Sequence, residues 1–147
     1  MTKIDFYIIE KGSEEATDTF ICRLTGKAWA QNNAVYMHTI DQAHASKYDE
    51  LLWTFSETSF VPHQLATAKA TAYLDKTVLI DHNNAANVSH HHDVLINLNH
   101  AAPSFFSQFD RVAEIITTDE TSKVKGRERY QFYRDRGYEL VTHKIAL

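Results

Sequence analysis

The chain has 147 residues, 44% of them apolar, with 15 Lys or Arg against 19 Asp or Glu, a formal net charge of -4 and an isoelectric point near 6.1. That length suits one domain, residues 1–147, able to bury roughly two thirds of its unfolded surface. The acidic balance argues against a broad surface that DNA could wrap, no apolar run approaches the ~20 residues of a membrane span, and the lone Cys22 allows no intrachain disulfide.

The start, MTKIDFYIIEKG, lacks a secretory signal's basic opening, long apolar stretch and small-residue cleavage site, so a cytoplasmic location is expected. IDFYII at 4–9 reads as the first strand. Residues 14–31 read as a helix, with Phe20, Ile21, Cys22, Leu24 and Trp29 on an apolar side and Glu14, Asp18 and Lys27 toward water. Cys22 has no base or helix N-terminus nearby in sequence to lower its pKa and is read as a small core residue. The strand AVYMH at 34–38 follows, then a helix over 41–54 that runs into an apolar loop carrying Trp53, Phe55, Phe60 and Val61. Loops are usually polar. These aromatics either fold under as core or form the wall of a binding pocket.

Further strands are expected at TVLI (77–80), DVLINL (93–98), RVAEII (111–116) and YELVTHKI (138–145), with helices at 103–109 and 120–136. The runs are almost continuously apolar, the pattern of strands buried on both faces. Strands alternating with helices predict a single α/β domain, a mostly parallel sheet flanked by helices. No internal repeat or linker divides the chain.

Such a sheet invites a nucleotide at the first strand-to-helix turn, which needs glycines and free N–H groups. Here it reads IIEKGSEEATDTF, one glycine among Glu10, Glu14, Glu15 and Asp18, and neither GxxxxGK[ST] nor GxGxxG occurs anywhere. The histidines in SHHHD offer His90 and His92 on one side of an extended strand. A zinc site would want two more ligands, and a solvated loop is the preferred reading; no metal or cofactor is expected. There is no GxSxG motif, and Asp49, Glu50 and Glu57 read as solvated residues. No catalytic site is expected.

The charge is unevenly placed. KVKGRERYQFYRDRGY, Lys123 to Tyr138, carries six Lys or Arg against two acids, so this segment is +4 and the remainder -8. On a helix, Lys123, Arg127, Tyr130 and Arg134 fall within an arc of about 60°, a stripe of three cations and one ring. Lys125, Arg129 and Arg136 lie off it and read as surface or packing residues. The stripe offers donors for carboxylate or phosphate. Gly126 costs the helix ~1 kcal/mol relative to Ala, and Gly137 marks its C-terminal cap.

FYII near the start, DELLW followed by SFVPH, DVLINL, and GRERYQFYRDRGYEL together resemble the family of the chi subunit of bacterial DNA polymerase III holoenzyme, over nearly the whole chain. The resemblance implies a fold like a mononucleotide-binding (Rossmann-like) domain without a phosphate loop, and a non-catalytic accessory subunit of a DNA-directed DNA polymerase. It implies two partners: the psi subunit, which tethers it to the clamp loader, and the acidic C-terminal tail of single-stranded-DNA-binding protein, which ends in a phenylalanine. Association with single-stranded DNA would then be indirect. Carried over by position, the tail-binding residues are Lys123, Arg127, Tyr130 and Arg134, with Trp53, Phe60 and Ile116 around the terminal apolar residues. The alternative is a direct single-stranded nucleic-acid binder using the same basic helix.

Overall fold

The computed structural model describes residues 1–58, 60–66, 76–82 and 92–147. Within them lie seven strands: β1 (Lys3–Lys11), β2 (Val35–His38), β3 (His63–Leu65), β4 (Val78–Asp81), β5 (Val94–Asn97), β6 (Arg111–Ile116) and β7 (Leu140–Ala146). They form one sheet in the order β3-β4-β2-β5-β6-β1-β7, and every neighbouring pair is parallel. The mostly parallel expectation is thus met by a wholly parallel sheet. β2, β4 and β5 are buried at all four positions, because helices and loops cover both faces.

Alternate strand residues feed two apolar layers. On one face Val35, Met37, Val78, Ile80, Val94, Ile96, Ala113 and Ile115 pack under α1 (Glu14–Ala30) and α2 (Gln42–Thr54). On the other, Ile4, Phe6, Tyr36, Leu79, Leu95, Val112 and Ile116 pack under α3 (Glu120–Asp135) and the Phe105–Phe109 segment. The helices start where side chains can satisfy their first N–H groups: Ser13 accepts from Ala16, Asp41 from His44 and Asp119 from Ser122. α3 ends as its glycine suggests. Gly137 (φ 80°) donates to the Arg134 carbonyl and Tyr138 to that of Tyr133, the paired bonds of a Schellman cap.

Two expectations need correction. Residues 103–109 form only a single 3₁₀ turn, Phe106–Gln108; burying Phe105, Phe106 and Phe109 in one short segment outweighs helix formation. β3 was not expected, since three residues after Pro62 carry no periodicity.

Candidate peptide-binding surface

α3 is the element that sorts its charges by face. Lys123, Arg127 and Arg134 project along its outer side, and Tyr130 sits half-buried between them, its ring edge-on to Phe6 at 5.2 Å between centroids. Lys123 reaches Glu120 at 3.6 Å, and Arg134 donates to Gln131 Oε1 at 2.6 Å. Arg127 is exposed and has neither ion pair nor hydrogen bond among the described residues. Off the stripe, Lys125 pairs with Glu128 and Arg136 lies over the Phe132 ring at 3.6 Å. The stripe is therefore a row of cations held by at most single, solvent-screened contacts within their own helix.

Arg129 is different. It is 5% exposed and its Nε donates to Oε1 of the fully buried Glu114 at 2.8 Å. Glu114 Oε2 also accepts from the Tyr133 hydroxyl at 2.6 Å and from Asn97 Nδ2 at 2.9 Å. Burial pushes the Glu114 carboxyl above the usual carboxylate range, against the opposing pull of Arg129, Tyr133 and Asn97. This buried cluster was not anticipated, although the Glu inside RVAEII is a charge within an apolar run, the kind of residue that needs a partner.

Ile116 is brought to α3, but from beneath. It is 7% exposed, and a Cβ added to Gly126 would come within 2.5 Å of its Cδ1. It is a floor for the helix.

Trp53 and Phe60 are not brought to the stripe. Trp53 ends α2, which packs on the opposite face of the sheet from α3. The two rings meet each other at 5.0 Å and stay 58% and 54% exposed. Behind them stands His63, its side chain wholly buried, with Nδ1 at 2.7 Å from the Val61 carbonyl and Nε2 at 2.8 Å from that of Asp49. His63 meets Trp53 edge-on at 5.0 Å. The anchored imidazole and Val61, which packs into the core beside Gly26, hold an apolar platform at the β3 edge. Trp53 and Phe60 therefore stand apart from the α3 stripe, a separation that continuous apolar strands do not reveal, since they carry no mark of which face each helix covers.

The position that nucleotide-binding α/β folds use is also visible. β1 and β6 are neighbours, and their helices leave on opposite faces, which opens a crevice at the carboxyl ends of the strands. It has a volume of about 470 Å³ and is lined by Glu14, Asp18, Lys47, Tyr48 and Asp119, among others. Lys47 is committed to Glu14 at 3.3 Å and Asp18 at 3.0 Å, and the Tyr48 hydroxyl donates to Asp18 at 2.7 Å. Three carboxylates with one neutralised lysine repel a polyphosphate.

Burial pushes the Cys22 thiol up to about 12, with Asp18 adding to the rise and Lys47 opposing it. His90 and His91 lie outside the described residues, while His92 is exposed. Among the described residues no three His, Cys, Asp or Glu side chains are grouped to hold a metal ion, and no helix is long and apolar enough to cross a membrane.

The family model of the DNA polymerase III chi subunit, HolC, matches residues 1–141. The chain belongs to the DNA polymerase III chi subunit family. It is 37% identical to the DNA polymerase III subunit chi of Pseudomonas aeruginosa over 99% of this chain and 98% of that one. The subunit chi proteins of Haemophilus influenzae and Escherichia coli are 29% and 26% identical, covering 96% and 97% of each chain. Chi is an accessory subunit of the replicative polymerase. Among solved structures the chain resembles T4 UvsW, with a TM-score of 0.71 at 8% identity, covering 99% of this chain and 42% of that one. At that identity the likeness concerns the fold alone, an α/β layer arrangement shared with a much longer protein.

Proposed function

We propose that this chi-family chain is a non-catalytic, cytoplasmic adaptor that holds the acidic C-terminal tail of single-stranded-DNA-binding protein on α3 and joins it, through psi, to the clamp loader. The observation that carries it is the row Lys123, Arg127 and Arg134 on one exposed helix face of an otherwise acidic chain. Arginine forks bind a terminal carboxylate bidentately, the remaining cations face acidic side chains of the tail, and Tyr130 gives a ring edge against which the tail's phenylalanine packs. A direct nucleic-acid groove needs cations spread well beyond one helix, and the crevice beside α3 is lined by carboxylates.

The Trp53–Phe60 platform supports the second half of the reading. Two exposed aromatic rings on a rigid base are the usual anchor of a protein interface. Their place on the opposite face from α3 suits an adaptor that holds two partners at once, so the platform is assigned to psi and the stripe to the tail.

The test is a titration with a peptide copying an acidic tail that ends in phenylalanine with a free carboxylate, beside the same peptide lacking that residue. The full peptide is expected to bind and the shortened one to fail, and Arg127→Ala should weaken binding at least roughly tenfold, as loss of an interface anchor does. Equal binding of both peptides, or tighter binding of a single-stranded oligonucleotide, would overturn the proposal.

A further inference from the structure

The buried cluster beneath α3 belongs to a longer pattern. Asp81, His38, Asn97 and Glu114 stand in register across β4, β2, β5 and β6, all at most 1% exposed. They form a row of polar side chains on the α3 face, at the carboxyl ends of strands that are otherwise apolar. From the Glu114 end, three side chains reach its carboxylate, and Arg129 also donates to the carbonyls of His100 at 3.0 Å and Ile115 at 3.4 Å. Asn97 donates again to the Ala101 carbonyl at 3.2 Å. Two α3 side chains, Arg129 and Tyr133, are thereby tied to β6, to β5 and to the loop that follows β5.

Stability alone does not account for this arrangement. A buried ion pair loses so much hydration that apolar residues of similar volume often serve the fold equally well. What directional hydrogen bonds add is geometry: an apolar helix face can rotate or slide on a sheet at little cost, whereas a fork bonded to one carboxylate and two fixed carbonyls cannot. On the helical wheel Arg129 and Tyr133 lie about 40° apart and about 130° and 90° from the centre of the Lys123–Arg134 stripe, so fixing them fixes where the stripe points. The close approach of Gly126 to Ile116 sets the depth of the helix and limits large rotations, because any neighbour turned into that place carries a Cβ, and the hydrogen bonds fix the angle that remains.

We infer that Glu114, Arg129 and Tyr133 are positioning residues for the basic stripe, which is taken here to be the tail-binding surface proposed above. They touch no ligand themselves. They hold Arg127 and its neighbours at one angle and one height, so that an acidic peptide meets a preformed row.

The experiment compares affinity with stability. Glu114→Met/Arg129→Met replaces the buried pair with apolar side chains, and Tyr133→Phe keeps the ring but removes one donor to Glu114. Each is titrated with the acidic peptide ending in phenylalanine at a temperature well below its own unfolding midpoint. The double variant is expected to unfold near the unaltered midpoint yet bind roughly tenfold more weakly, within the range by which residues remote from a ligand alter binding. Adding Arg127→Ala should then cost less than it does in the unaltered protein, because the positioned contact is already lost. If the double variant does not fold, Tyr133→Phe decides the matter: weaker binding with an intact fold supports the inference, and unaltered affinity overturns it. Peptide binding that Arg127→Ala abolishes and neither network variant changes overturns this inference alone. An unaltered protein that binds no such peptide overturns the tail-binding reading instead, and this inference with it.

Discussion

At the scale of single residues, burial decides more than residue type. His38 looks like any other histidine in a chain of nine, yet it is 1% exposed, its Nδ1 has no hydrogen-bond partner among the described residues, and the Tyr36 and Phe105 rings pack against it. Burial lowers its pKa from 6.5 to about 4, with Asp81 opposing the fall and His82 adding to it. The sign follows from proton linkage. Between pH 6.5 and about 4 the unfolded chain takes up a proton that the folded chain refuses. Stability is therefore lost as pH falls through that window, by about 3 kcal/mol from this group. Denaturant unfolding at pH 7.5 and 4.5 measures the loss, and His38→Gln should flatten the profile between them. An unchanged slope in that variant would assign the pH dependence elsewhere. The partner of Glu114 was equally hidden at this scale. The helical wheel separates Arg129 from the stripe, but only the register of β6 under α3 reveals what it meets.

At the scale of elements, α3 was legible from end to end, because its cap residues and charge spacing are local properties. Its glycine was not. In sequence Gly126 is a defect that Ala would repair, worth ~1 kcal/mol. In the structure a Cβ there would lie 2.5 Å from Ile116 Cδ1 and 2.6 Å from its Cγ1, inside a buried layer. Overpacking of that kind typically costs about 1–3 kcal/mol, so the clash exceeds the gain in propensity. Gly126→Ala is expected to lower the thermal midpoint, and Ile116→Ala, which removes Cδ1, Cγ1 and Cγ2, should lower it too, but by less in the Gly126→Ala chain than in the unaltered one, because it also removes the clash. A raised midpoint in Gly126→Ala alone would show that α3 can lift off β6 without penalty. The expected helix at 103–109 marks the opposite limit: the common burial of Phe105, Phe106 and Phe109 between the sheet and α3 leaves only one 3₁₀ turn.

At the scale of the whole molecule, the parallel α/β architecture was readable because continuous apolar runs separated by helix-like segments admit few alternatives. The assignment of helices to faces was not readable, since a strand buried on both sides carries no mark of which helix lies above and which below. The resemblance set Trp53 and Phe60 around the same ligand as Arg127, and nothing in the strands spoke against it, whereas α2 and α3 pack on opposite faces of the sheet. The separation makes the two proposed partners experimentally divisible. Trp53→Ala and Phe60→Ala remove half-exposed rings that pack chiefly on each other and on His63, so each should cost about 1–2 kcal/mol and leave the fold intact. Both variants are expected to bind the acidic peptide as the unaltered protein does while losing co-elution with psi in size-exclusion chromatography. Arg127→Ala is expected to do the reverse, keeping psi and losing the peptide. If Trp53→Ala weakened the peptide as much as Arg127→Ala does, the two surfaces would have to act on a single ligand, and the division of labour across the sheet would be wrong.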